Sequence, residues 1–281
     1  MVERGRSERG WSCTILGLLI ALWLVLFYGL AALLDPRPWS EAFLQGSSGE
    51  VLVALGAKVD LYVNSGELER LLVSTWLHVN LGHLLVNTVW LMLAGVVYDR
   101  LRLSARRYFS TWILSAALGQ VASTLFEMGP SVGASGAVYG FVGSLAVVTF
   151  QRAANRRTRL LVTLILLAIL ITPLFTRAAD HAAHCGGLVV GAGLSLLEPM
   201  RRVRRVIFVI AIGISVAALF ASALRAGHAG PVAQPRHLAG VAAAEVLAPP
   251  RDEHVLLVRL ELIDGLVALL LHLGAVDGHC G

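Results

Sequence analysis

The stretch GASGAVYGFVGS, residues 133–144, leads from a serine between small residues into an apolar run where Gly136, Gly140 and Ser144 recur at every fourth position. On a helix such positions lie on one face. A ridge of small residues lets a second backbone come close, which is how helices pack in lipid. A matching ridge, Gly187, Gly191 and Ser195, stands in a later apolar run, on a stripe that begins at His184. The two runs are therefore expected to be helices in direct contact, with Ser135 at the mouth of one and His184 near the start of the other.

Composition extends this to the whole chain. Hydrophobic residues make up 57%, charged residues 15%, and mean hydropathy is +0.74, which is too apolar for a soluble domain. A bilayer core about 30 Å thick needs roughly 20 apolar residues per helix. Candidate spans fall at 12–34, 76–97, 108–127, 136–151, 159–176, 181–197 and 206–225. The first is too long for a cleavable signal h-region and reads as a retained helix. The expected fold is all-α: a polytopic helical bundle with a six-helix core over 12–200. Residues 1–11 form a short N-terminus, 201–226 a basic loop and seventh C-terminal transmembrane helix, and 227–281 an extracytoplasmic tail.

Arginines set the orientation. Basic clusters stand on alternate connections: Arg4, Arg6 and Arg9; Arg100, Arg102, Arg106 and Arg107; Arg152, Arg156, Arg157 and Arg159; Arg201, Arg202, Arg204 and Arg205. By the positive-inside rule these ends, including the N-terminus, are cytoplasmic. The long first loop carries Arg37, Lys58 and Arg70 against six acids. Membrane topology thus accounts for the net charge of +5, and nucleic acid is not an expected partner. Arginine outnumbers lysine 22 to 1, which points to a prokaryotic source and its cytoplasmic membrane. Cys13, Cys185 and Cys280 show no metal-ligand spacing, and Cys185 is expected to be buried packing.

Polar groups inside spans are costly and call for a partner or a purpose. His78, His83 and Asn87 belong to the second expected span, with His83 and Asn87 one turn apart. Ser135 and Tyr139 share a face of the fourth. Asp180, His181 and His184 open the sixth, where Asp180 reads as an N-terminal cap. Spans two, four and six all run from outside to inside, so their N-terminal ends share one face. The fourth, 136–151, covers only about 24 Å of a roughly 30 Å core. Ser135 is thereby expected several Å below the extracytoplasmic surface, in one layer with His83, Asn87 and His184.

A serine hydroxyl needs a base to become a nucleophile, and His184 is the credible one. Ser135 stands at a helix N-terminus, whose free N–H groups favour an oxyanion. His83 and Asn87 can add donors, Gly133 and Gly136 give room for backbone approach, and Tyr139 can stack on His184. No cofactor or metal is required. A bis-histidine haem site would account for the histidines but not for Ser135, Asn87 or the glycines.

The motifs His78-x4-His83-x3-Asn87, Gly133-x-Ser135-Gly136 with Tyr139, and His184-x2-Gly187-x3-Gly191 together resemble the rhomboid family of intramembrane serine proteases, over about residues 10–200. The resemblance implies a six-helix core that cleaves transmembrane protein substrates near their outer ends with a serine–histidine dyad, Ser135 and His184, and no acidic third member. It implies oxyanion roles for His83 and Asn87, an accessory role for His78, and substrate access near 76–97 and 160–175. Two positions depart from the family pattern: its Trp-Arg pair reads Glu69-Arg70, and its Gly-x3-Glu reads Gly95-x3-Asp99. An inactive scaffold of this fold, binding transmembrane helices, is the alternative. Membrane lipids are expected partners, and oligomeric state is not readable.

Overall fold

A computed structural model describes residues 11–127, 129–152, 156, 160, 163, 167, 180–197 and 201–228. It divides into two compact units, residues 1–154 with 180–247, and residues 155–179 with 248–281. In the second unit only 156, 160, 163 and 167 are described, all helical. The fifth expected span, 159–176, and the tail after 228 otherwise lie outside the described residues.

The described part of the first unit is helical, with one isolated β-bridge between Lys58 and Ser131. Its long helices are α1 (Ser12–Leu34), α6 (Leu81–Arg100), α7 (Ala105–Phe126), α8 (Ser135–Gln151), α9 (His181–Leu196) and α10 (Arg201–His228). Among the described residues three, α1, α6 and α7, are long and apolar enough to cross a membrane. At 17 residues α8 is shorter, spanning about 25 Å.

Three boundaries differ from the sequence expectation. The second span begins at Leu81 and not at 76, because the Asn80 side chain accepts the His83 N–H at 2.8 Å and caps the helix there. His78 thus lies before the helix, not on it. The third span begins earlier, after Ser104, whose hydroxyl accepts from the Arg107 N–H. The basic cluster 201–205, expected as loop, is the start of α10, in keeping with arginine's good helix propensity.

Each helix buries a stripe. On α1, Cys13, Gly17, Ile20, Leu24, Tyr28 and Ala31 are buried, while Leu18, Leu22, Trp23, Leu26, Leu30 and Leu33 are exposed. The buried stripe lies on α6. The Asp99 carboxylate accepts from the Cys13 and Thr14 N–H groups at 3.0 and 2.8 Å and from the Thr14 hydroxyl at 2.7 Å. Gly95, one turn earlier, leaves space where a Cβ would come within 2.7 Å of the Cys13 carbonyl. The Gly95-x3-Asp99 departure therefore still forms a working seat for the start of α1.

Between α1 and α6 the chain folds into short helices, α2 (Trp39–Gln45), α3 (Gly49–Leu55), α4 (Asp60–Asn64) and α5 (Arg70–Val73), then a 3-10 turn at Ser74–Trp76. The sequence reading assigned no helices here. Asp35 closes the start of this loop, accepting from Arg37 at 2.8 and 3.1 Å and from the Ser48 N–H. The Arg37 guanidinium, with the Ser48 N–H, holds the Asp35 carboxyl well below the usual carboxylate range. Arg70 braces the middle. It is 7% exposed, donates to Glu67 and to the Val53 and Ala57 carbonyls, and its guanidinium lies 4.5 Å from the centre of the Tyr62 ring. Arg70 thus packs the loop, with Glu69 beside it in the chain.

Helix α8 is enclosed by α6, α7 and α9, and its residues from Gly136 to Ser144 are all buried. The small-residue ridges meet as expected. A Cβ on Gly187 would lie 2.0 Å from the Gly136 carbonyl oxygen, and one on Gly191 would lie 1.8 Å from that of Gly140. At the far end Ser195 Oγ and Ser144 Oγ are 2.8 Å apart, with Arg107 donating to Ser195 and Tyr98 sharing a 2.6 Å hydrogen bond with Ser144.

Because the obstacle is backbone, a methyl group at Gly191 forces the helices apart. Gly191→Ala should destabilise the protein by about 1–3 kcal/mol or more, seen as a lower thermal midpoint in detergent. Gly193→Ala, in the same helix where a Cβ meets nothing within 4 Å, should leave the midpoint level or raise it.

Candidate active site

The loop that ends α7 turns into α8 through Gly133, whose φ is +126°, a conformation a side chain disfavours. A Cβ there would also fall 2.5 Å from His83 Cε1, so the imidazole of α6 lies directly on this backbone. The Gly133 N–H donates to the Ser74 carbonyl at 3.0 Å, tying the turn to the first loop. Ser135 follows as the first residue of α8 and is half-buried.

His184 comes from the other ridge. Asp180 caps α9, its carboxylate accepting the Ala183 N–H at 2.8 Å and its carbonyl the His184 N–H at 3.2 Å. Glu127, from the end of α7, accepts the Ala182 N–H at 2.8 Å. The two carboxylates suit the positive end of the helix dipole. Facing the α8 ridge, His184 is 8% exposed, and its Nε2 lies 2.8 Å from Ser135 Oγ. Tyr139, one turn along α8 from Ser135, stacks on the imidazole with centroids 4.3 Å apart and planes 6° from parallel. The ring is thus held on one side by π-stacking and at its edge by the serine.

His78, although off the helix, is 1% exposed and meets His83 edge-on at 5.2 Å. Asn87, one turn beyond His83 on α6, is 2% exposed, and its Nδ2 has no hydrogen-bond partner among the described residues. A buried amide donor of this kind is available to an incoming acceptor. His181 lies 6.5 Å from His184, ring edge to face. Cys185 corrects the sequence reading: it is exposed, since neighbours on a helix point about 100° apart and His184 takes the buried face.

Two residues that the sequence reading did not single out join this region. Ser123 of α7 donates to Asp180 at 2.6 Å and accepts from Lys58 Nζ at 3.0 Å. Lys58 counted in the sequence only as a loop charge. The available signal was its being the one lysine among 22 arginines.

A family model, Rhomboid domain, matches residues 65–201, the stretch that holds every residue of this arrangement except Lys58. The chain belongs to the rhomboid family. It is similar to Rhomboid protease GluP of Bacillus subtilis (strain 168), 36% identical over 147 residues, 50% of this chain and 28% of that protein. It is also similar to RHOMBOID-like protein 5 of Arabidopsis thaliana, 30% identical over 182 residues, 63% of this chain and 59% of the relative. Rhomboid-like protease 3 of Toxoplasma gondii is 30% identical over 149 residues, 51% of this chain and 56% of the relative. The match spans less than two thirds of each relative. Family and apolar helices together make the chain a multi-pass membrane protein.

The stacking geometry predicts graded effects at Tyr139. Tyr139→Ala should lower the rate at which a fluorophosphonate modifies Ser135 by about two- to tenfold, the kinetic equivalent of an aromatic pair worth about 0.5–1.5 kcal/mol. Tyr139→Phe, which keeps the ring, should stay nearer the parent.

Proposed function

We propose that this rhomboid is an intramembrane serine endopeptidase that hydrolyses peptide bonds in or near the transmembrane segments of other membrane proteins. The observation that carries this reading is the 2.8 Å separation of His184 Nε2 and Ser135 Oγ, with the imidazole stacked on Tyr139. A nucleophile and base within hydrogen-bond reach, the base held by a third group, is the requirement for covalent catalysis. The relatives named rhomboid protease support the same activity.

In this mechanism the imidazole carries its proton on Nδ1, and Nε2 takes the Ser135 proton as Oγ attacks the substrate carbonyl carbon. The carbonyl π electrons move to oxygen, and the oxyanion is met by donors from Asn87, His83 and the start of α8. His184 then returns its proton to the departing amine as the C–N bond breaks. Water, deprotonated by the same imidazole, hydrolyses the Ser135 ester and restores the serine. Neither cofactor nor metal takes part, so chelators should leave activity intact. The N-terminus is cytoplasmic, the site lies near the extracytoplasmic face of a prokaryotic cytoplasmic membrane, and lipids bathe the exposed apolar faces.

Detergent-purified wild type should label with a fluorophosphonate probe, and Ser135→Ala and His184→Ala should not. Equal labelling of all three, or an unlabelled wild type with intact fold, would leave a helix-binding scaffold as the better reading. Asn87→Ala should reduce kcat on a model transmembrane substrate by about 10²–10³-fold, as loss of one oxyanion donor does, while the thermal midpoint holds. A large loss of folded protein with normal specific activity would make Asn87 structural.

A further inference from the structure

Lys58 is the single lysine of the chain and is fully buried. A buried ammonium is tolerated only where its charge is paired and its N–H donors find acceptors. Nζ pairs with Asp60 Oδ1 at 2.7 Å and donates to Ser123 Oγ and to the Gly129 carbonyl, each at 3.0 Å. Three oxygens gathered around one point suit a compact ammonium and not a planar guanidinium.

The acceptors belong to different parts of the fold. Asp60 is in the first loop, and its other oxygen accepts the Gly129 N–H at 2.7 Å. Lys58 itself pairs with Ser131 through both backbone bonds, at 3.1 and 2.9 Å. Ser131, which also accepts from Gln120 at 3.2 Å, lies four residues before Ser135. On the other side Ser123 passes the contact to Asp180 at 2.6 Å, and Asp180 lies four residues before His184 on the α9 cap. Lys58 thus holds the approach to Ser135 through its backbone and its ammonium, and reaches the approach to His184 through Ser123.

We infer that Lys58 is a positioning residue, which through Ser123 and Asp180 on one side and the 129–131 turn on the other sets the registry of Ser135 and His184. This rests on the reading of those two residues as nucleophile and base. The glycine ridges fix how closely α8 and α9 approach. They do not by themselves fix how far one slides past the other at the outer end, and the Lys58 contacts join the segments there.

The test uses full-length protein with Lys58→Met, Lys58→Met/Asp60→Asn and Ser123→Ala, scored by thermal midpoint, fluorophosphonate labelling rate, kcat and KM on a model transmembrane substrate, and the 13C-labelled His184 ring resonance. That resonance is assigned by its loss in His184→Ala. Lys58→Met leaves the partly buried Asp60 without its cation and should lower both midpoint and labelling. The neutral double variant should recover the midpoint to within a few degrees and still label about tenfold or more slowly, since a misplacement of about 1 Å can cost on the order of 10²-fold. Ser123→Ala, which keeps the Lys58–Asp60 pair, should hold its midpoint and KM, lose kcat severalfold, and shift the His184 resonance. Labelling within about twofold of the parent in Ser123→Ala, or in the double variant once its midpoint is restored, would overturn the positioning role. A parent that does not label while the His184 resonance still moves in these variants would overturn the protease reading and leave the positioning role standing.

Discussion

The contact of backbone on backbone between α8 and α9 is the constraint on which the site depends. Where Gly187 and Gly191 face the carbonyls of Gly136 and Gly140, no Cβ intervenes, and two helices that would otherwise stand 8–10 Å apart come closer. At that separation an imidazole from one helix lies 2.8 Å from a hydroxyl at the start of the other. Lipid supplies no hydrophobic drive between helices, so dispersion across such a seam and the polar contacts at its ends must hold it. Arg107, Tyr98, Ser144 and Ser195 serve one end, and Asp180, Ser123 and Lys58 the other.

Charge is sparse in this chain and is spent at joints. Asp99 seats α1 on α6, Asp35 closes the first loop on itself, Arg70 fills that loop, and Asp180 with Glu127 caps α9. Each carboxylate or cation meets backbone groups that a helix end or turn leaves unpaired. In a low-dielectric surrounding such groups are strongly penalised if unanswered, so the polar residues report where chain segments are locked together. Asn87 Nδ2, on the helix turn after the histidine that lies against Gly133, is one of several buried side-chain atoms, with both ring nitrogens of His78, that no described residue answers.

Much of this was legible before any coordinates. Apolar runs, alternating arginine clusters and the two glycine ridges identified an all-helical membrane bundle, and the spacing of Ser135 to Tyr139 and His184 to Gly187 identified the faces that meet. The first loop was not legible, because its helices are short and held by Arg70 and Asp35 contacts that no periodicity announces. Nor was the break before Leu81. Hydropathy runs straight through Trp76, Leu77 and Val79, and the Asn80 cap overrides it. Cys185 was misread as buried because one step along a helix decides its face.

Residue chemistry along the chain determined which helices form, which faces are small enough to touch and which polar side chains those faces bring with them, since these depend on local spacing and composition. Tertiary structure alone decided that Lys58, 77 residues before Ser135 and 126 before His184, sits where the approaches to both converge, and that Ser123 bridges it to the α9 cap. The reason is physical: hydrogen bonds between segments far apart in sequence depend on where the helices end and how the loops return. Those positions follow from the packing of the whole unit.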